Sequence, residues 1–187
     1  MSPIIFSKVK FNMDLMNLTI LLNTFFGFLT VVAWISSAII LYLYFSKKTF
    51  SKIVTNQFLN FAISVAIFSS IGSIVYSEVV GFIPCRFCWY QRYLMYPIAI
   101  ALLISLVKKP FFRIGYISII GVFVSIYHIF LQNGGGGGGT CAVDVPCDLK
   151  YVDIFGFISI PVMAGTGFLT IFVTLLYYDF ARKELVE

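Results

Sequence analysis

Charge is what this sequence has least of. Only 11% of its 187 residues are Asp, Glu, Lys or Arg, against 60% hydrophobic residues, and mean hydropathy is +0.97. A soluble domain carries about a quarter charged residues and is about half apolar. The composition therefore excludes an ordinary water-soluble globule and indicates an integral membrane protein, and the length suits one compact helical bundle. No internal repeat and no soluble domain is apparent. A signal peptide's compact pattern is also missing: the first apolar run is too long and no small-residue cleavage site stands out, so that run is expected to remain as an uncleaved span. The net charge of +5 raises the question of nucleic acid. The basic residues, however, lie in short clusters between apolar runs and read as topology signals, with membrane lipid as the surrounding partner and no nucleic acid.

About 20 apolar residues cross a bilayer as a helix. Five stretches qualify, near Phe25–Phe45, Phe58–Phe82, Trp89–Val107, Ile114–Leu131 and Ile160–Phe180. Leu15–Leu22 is apolar as well, which leaves the first start open. Lys47, Lys48 and Lys52 follow the first run, Lys108, Lys109 and Arg113 follow the third, and Arg182 and Lys183 follow the fifth. With five spans these clusters share one side, which the positive-inside rule makes cytoplasmic. Lys8 and Lys10 then lie outside, partly offset by Asp14.

Cysteine is scarce too, at four residues. They form two close pairs, Cys85 with Cys88 and Cys141 with Cys147, both on the expected extracytoplasmic side, where disulfides persist. Four cysteines allow three pairings, and sequence alone does not choose among them. The first pair sits in "PCRFCWYQR", Pro84 to Arg92. Such a CxxC suits a structural disulfide, half a zinc site or a redox dithiol. Zinc would need two further ligands, and the five residues between Cys141 and Cys147 are looser than its usual spacing, so no metal is expected. A disulfide closing so short a loop constrains little of the unfolded chain. The start of the third span places Cys88 near a helix N-terminus, which favours an anion, and the thiolate is the reactive form.

Arg92 follows Cys88 by four positions, one turn along the same helix face. It either snorkels to the headgroups or stabilises a thiolate and donates to a carbonyl oxygen. A lipid-soluble carbonyl compound that takes two electrons from a dithiol is a quinone. His128 reads either as a packing residue or as a proton-handling group near the cysteines. Cys141 and Cys147 lie in "TCAVDVPCDLKYVDIFGF", either as a loop staple or as an exchangeable disulfide facing a soluble partner. The six glycines of "NGGGGGGT", Asn133 to Thr140, make slack ahead of them; they read either as a natural linker or as an engineered replacement for a longer loop.

Four markers occur in order: "PCRFCWYQR", "YHIFLQ", a second cysteine pair and "FGFISIP". In these the chain resembles the DsbB/BdbC family of membrane quinone-dependent thiol oxidases over roughly residues 58–180. The resemblance implies an all-α integral membrane fold, a DsbB-like four-helix transmembrane bundle with one extra N-terminal transmembrane helix. It divides the chain into 1–57 (tail, extra helix and cytoplasmic loop), 58–182 (core, with cysteine loops at 83–88 and 132–159) and 183–187 (cytoplasmic tail). It implies Cys85, Cys88, Cys141 and Cys147 as catalytic residues, with Cys88 contacting the quinone. Arg92 and His128 become quinone-binding residues, for menaquinone or ubiquinone. The implied partner is an extracytoplasmic thioredoxin-fold thiol oxidase of the DsbA/BdbD type, and the implied place is the bacterial cell membrane. Two alternatives are carried: a vitamin K epoxide reductase-like quinone reductase, in which the CxxC would follow the loop pair instead of preceding it, and a non-enzymatic membrane protein with two structural disulfides. A metal-binding sensor would instead hold zinc on four reduced thiols.

Overall fold

The computed structural model describes residues 3–134 and 150–185, with side chains described for all of these except 3–14 and 109–112. The described residues are helical nearly throughout: α1 (Pro3–Phe45), α2 (Lys52–Ile74) continuing into a π-helical turn (Val75–Val79), α3 (Arg86–Ile104), a 3-10 segment (Lys109–Ile117) leading into α4 (Ser118–Gln132), and α5 (Ile160–Glu184). No strand occurs among the described residues; the segment before α5 closes a tight turn through an isolated bridge between Ile154 and Ile158. Among the described residues, four helical stretches are long and apolar enough to cross a membrane: Leu15–Phe45, Lys52–Val79, Arg113–Gln132 and Ile160–Glu184. α3 is not among them, because Gln91 and Arg92 dilute its hydropathy. Its 19 residues still make about 28 Å of helix, close to a hydrocarbon core of about 30 Å, and it packs against both α2 and α4. The protein is an all-α multi-pass membrane bundle of α2–α5 with α1 added.

Burial shows how this sequence makes that bundle. Phe28, Val32, Ile35, Ile39 and Tyr42 are all exposed on α1, at alternating steps of four and three that keep them on one face. Phe123, Ile126 and Phe130 do the same on α4. Apolar faces this continuous suit contact with lipid. Small and hydroxylated residues point inward instead: Thr166, Thr170 and Thr174 of α5 and Ser125 of α4 are buried. Gly121 lies against Phe168, where a Cβ would collide with the ring, so α4 and α5 approach as closely as small residues permit. α5 is the central helix, packed by α1, α2 and α4. The largest core joins its Phe168, Ile171, Leu175 and Tyr178 to Leu59 and Ala66 of α2 and Ile98 and Leu102 of α3.

The three basic clusters share one end of the bundle. The Tyr177 hydroxyl donates to the Lys48 carbonyl at 2.8 Å, which ties the α1–α2 loop to the end of α5. Tyr116, in the 3-10 segment after Lys108, donates to the Leu175 carbonyl at 3.3 Å. Cys85 and Cys88 lie at the other end, where α3 begins.

Three boundaries differ from the sequence expectation. α1 begins at Pro3 and not near Phe25, because apolar count marks where a helix can enter lipid and not where it starts. Extension of the same helix needs only good local propensity. The second span ends in the π-turn at Val79, after which Gly81 (φ 82°) takes a left-handed conformation suited to glycine and releases the chain toward Phe82. The fourth span opens in a 3-10 coil, with Pro110 at its start. Cys141, Cys147 and all of the glycine run except Gly134 lie outside the described residues. Gly134 itself (φ 91°) terminates α4, its N–H bonded to the Leu131 carbonyl.

Candidate active site

α3 starts on a cysteine. Cys85 is the N-cap, extended at φ −71° and ψ 172°, and its sulfur accepts from the Cys88 N–H at 3.4 Å. This is the capping geometry of Ser or Asp, filled here by sulfur. The CxxC spacing then sets Cys88 one turn in, with its Sγ 3.0 Å from that of Cys85. Both are free thiols. The two sulfurs face different surroundings. Cys85 is buried with Phe87 and Leu131, and His128 Nε2 lies 3.4 Å from its Sγ. Cys88 lines a cavity.

Cys88 lies in the first turn of α3, as its place in the sequence implied, and the cap itself, which sequence reasoning did not assign, is Cys85. The Cys88 thiol hydrogen-bonded to Cys85 pulls the Cys85 pKa down to about 4, with further help from His128 and against the cost of burial. Hydrogen bonds to the charged form favour it.

Arg92 lines the same cavity as Cys88, one turn farther along α3. At 9% exposure it does not reach out to headgroups. Its Nε donates to Ser73 Oγ and its Nη2 to the Ser73 carbonyl, both at 2.8 Å, and its guanidinium lies over the Trp89 ring at 5.2 Å. Ser73 sits at the end of α2, just ahead of the π-turn, a type of distortion often found at functional sites. Sequence reading missed Ser73 altogether. It also missed Gln91, which donates to buried Ser125 at 3.0 Å and lines the cavity. A signal for Gln91 existed: an amide beside an arginine inside an apolar helix needs partners.

His128 is 2% exposed, and its Nδ1 has no hydrogen-bond partner among the described residues. It is thus not a fully satisfied packing histidine. Cys85, Cys88 and His128 place three ligand atoms within 4.8 Å of one another. Structural zinc takes four, and a metal-bound imidazole normally anchors its second nitrogen, which His128 does not. Among the described residues the set is thus one ligand short of a structural zinc site, and two of its three members are a dithiol.

The cavity has a volume of about 390 Å³, within the range of small-molecule sites. Its walls come from α1, α2, α3 and α5, with Phe26, Val65 and Phe168 among many apolar residues and Ser73, Gln91 and Arg92 gathered at the Cys88 end. An aromatic stack of Tyr76, Phe82 and Tyr151 lies at its outer edge.

The profile of the family described as "Disulfide bond formation protein DsbB" matches residues 55–178. The chain belongs to the DsbB family. Among relatives, a "Probable disulfide formation protein" of Oceanobacillus iheyensis is 48% identical over 108 residues, 54% of this chain and 74% of the relative. "Disulfide bond formation protein C" of Bacillus subtilis is 40% identical over 125 residues, 64% of this chain and 91% of the relative. "Probable disulfide formation protein C 2" of Bacillus anthracis is 33% identical over 142 residues, 71% and 96% respectively. No solved structure matches. The DsbB-family match makes this a membrane disulfide oxidoreductase, and it begins after α1: residues before 55, and with them the whole first helix, fall outside the profile.

Proposed function

We propose that the chain is a quinone-dependent thiol oxidase. It reoxidises an extracytoplasmic, thioredoxin-fold disulfide-forming partner of the DsbA/BdbD type and passes the electrons through two cysteine pairs to menaquinone or ubiquinone. One observation carries this reading. Cys88 and Arg92 open into one apolar cavity, with Cys85 3.0 Å behind Cys88. The cavity fits a flat ring bearing carbonyl oxygens: an apolar chamber for the ring and tail, and a buried guanidinium for an oxygen. A bound quinone supplies the oxidising power, taking up two electrons and two protons to become quinol.

The protein's own residues do the rest. The partner's dithiol gives up two electrons and two protons as its disulfide forms, and a Cys141–Cys147 disulfide opens by exchange. The loop thiols then exchange with a Cys85–Cys88 disulfide. Attack at Cys85 leaves Cys88 as the departing thiolate, on the cavity side. When the pair is oxidised again, the Cys85 anion is in place to close on Cys88. His128 Nε2, 3.4 Å from Cys85 Sγ, handles a proton there. Arg92, held by Ser73, offers its remaining N–H groups toward the cavity and offsets negative charge.

The protein sits in the bacterial cell membrane, with the basic end of the bundle in the cytoplasm by the positive-inside rule and the cysteine end outside, where the partner is. The deciding experiment gives purified protein a reduced thioredoxin-fold donor and follows quinone absorbance with menaquinone and with ubiquinone. Stoichiometric quinol and donor disulfide are expected. Donor oxidation that proceeds equally without quinone would overturn the reading.

A further inference from the structure

We infer that the gap between α1 and α2 is a lateral portal through which a prenyl-tailed, membrane-dissolved quinone enters, and that α1 gives this chain its selectivity for the tail. The inference rests on the quinone reading of the cavity and adds the route and its gatekeeper.

The packing carries it. α1 and α2 both lie along α5 but scarcely pack on each other. They are joined at the outer end. The Tyr76 hydroxyl donates to Asn23 Oδ1 at 2.9 Å, and the Phe26 ring lies against Gly72, where a Cβ would come within 2.8 Å of it. Farther in, α1 is pinned to α5 instead: Trp34 Nε1 donates to Thr166 Oγ1 at 2.7 Å, and Ser37 meets Thr170 at 3.0 Å. The cavity fills the wedge left between the two helices. Its lining residues divide by exposure. Arg92, Met95 and Phe168 at the deep end are buried, whereas Phe25 and Val32 of α1 and Phe68 of α2 line the cavity and are also open to the surroundings, at 47%, 41% and 54% exposure. These three sit on lipid-facing helices, so a mouth opens sideways into the bilayer; the outer edge, at Ile83 of the loop before α3, is exposed as well. A polar ring at Arg92 with an apolar tail leaving between two phenylalanines matches that gradient.

α1 makes this a portal instead of an open groove. Without it the cavity would lose Phe25, Phe26, Leu29, Thr30, Val32 and Ala33, one whole wall. The family profile covers none of these residues, so the wall is this chain's own addition to the matched region.

The test narrows the portal from each side, with Ala33→Trp on α1 and Ser64→Trp on α2. Ser64 lines the cavity and is exposed, so the second variant adds bulk without displacing core. KM for a long-tailed quinone should rise about tenfold or more in both, with a tail-less quinone changed by less than about threefold. Arg92→Gln serves as the control for the ring site. A raised KM in Arg92→Gln with both tryptophan variants unchanged overturns the portal and leaves the site. An equal rise for long-tailed and tail-less quinones in the tryptophan variants also overturns the portal, since it shows blockage of the ring site itself. If Arg92→Gln and both tryptophan variants leave KM unchanged, the cavity is not the quinone site and the portal falls with it.

Discussion

Arg92→Lys separates a charge that merely tolerates the membrane from one that builds a site. Lysine keeps the charge and snorkels as well as arginine. It does not keep the fork. Arg92 spends two N–H groups on one residue, Ser73, through Oγ and the carbonyl, both at 2.8 Å. That leaves the rest of a rigid, planar guanidinium aimed by those two bonds. A single ammonium cannot hold both acceptors and still present a donor to the cavity in the same plane. At least one charge-assisted hydrogen bond is lost, at a cost of roughly 1.5–3 kcal/mol, which corresponds to about ten- to a hundredfold in affinity. Ser73→Ala removes the Oγ acceptor and keeps the carbonyl, so its effect should fall at or below the low end of that range. Arg92→Gln removes the charge too and should exceed it. The assay is steady-state turnover with reduced partner in excess and quinone varied. KM for quinone should rise in the order Ser73→Ala, Arg92→Lys, Arg92→Gln, while exchange between the loop cysteines and the partner stays close to wild type. If Arg92→Lys and Arg92→Gln both keep wild-type KM and kcat, the reasoning is refuted and Arg92 only anchors α3 to α2.

Three further outcomes are expected. Cys141→Ser or Cys147→Ser should abolish oxidation of the protein partner yet leave part of the quinone-dependent oxidation of a small dithiol, and Cys85→Ser or Cys88→Ser should abolish both; equal loss from all four with the small dithiol would contradict the relay. In intact cells treated with reductant, a membrane-impermeant thiol reagent should label Cys141 and Cys147; labelling of a cytoplasmic control cysteine but of neither of these would reverse the topology. Reduced Cys85 is held near a pKa of about 4, against roughly 8.5 for a free thiol, so its thiolate should persist through neutral pH and be lost only as pH falls through about 4. His128→Phe should move that midpoint upward, and ultraviolet titration of the reduced protein showing no thiolate below about pH 7 would contradict the assignment.

What sequence reading reached were the features that live in one dimension. The alternation of apolar runs with lysine clusters placed all three clusters together, and Tyr177 and Tyr116 tie their loops to one end of α5 in the structure. The CxxC ahead of an apolar run announced a helix starting at a dithiol, and Cys85 caps α3. Contacts between helices were not legible. Ser73 is an ordinary small residue in an apolar segment, and only the packing of α3 on α2 brings it to Arg92. The wall supplied by α1 was hidden for the same reason: Phe26, Thr30 and Ala33 read as lipid-span residues until α5 fixes the helix beside the cavity. The helix start at the dithiol was recognised, but spacing says only that both cysteines are near the N-terminus, and backbone geometry is needed to say that Cys85 is the cap.

That last distinction answers why a dithiol should sit where a helix enters the bilayer. A relay needs two sulfurs close enough to bond and exposed to different things. Inside a regular helix, residues three apart share a face and both would see the same surroundings. Across a helix start they need not, because the N-cap backbone is extended while N3 is already helical. Cys85 therefore turns toward His128 and the end of α4, from which the chain leaves for the loop that carries Cys141 and Cys147, while Cys88 turns toward the cavity. In the proposed relay, electrons arriving from the loop side and leaving on the lipid side cross 3.0 Å between the two sulfurs. The arginine four residues on belongs to the same arrangement: one turn along the helix from Cys88, it charges only the cavity side.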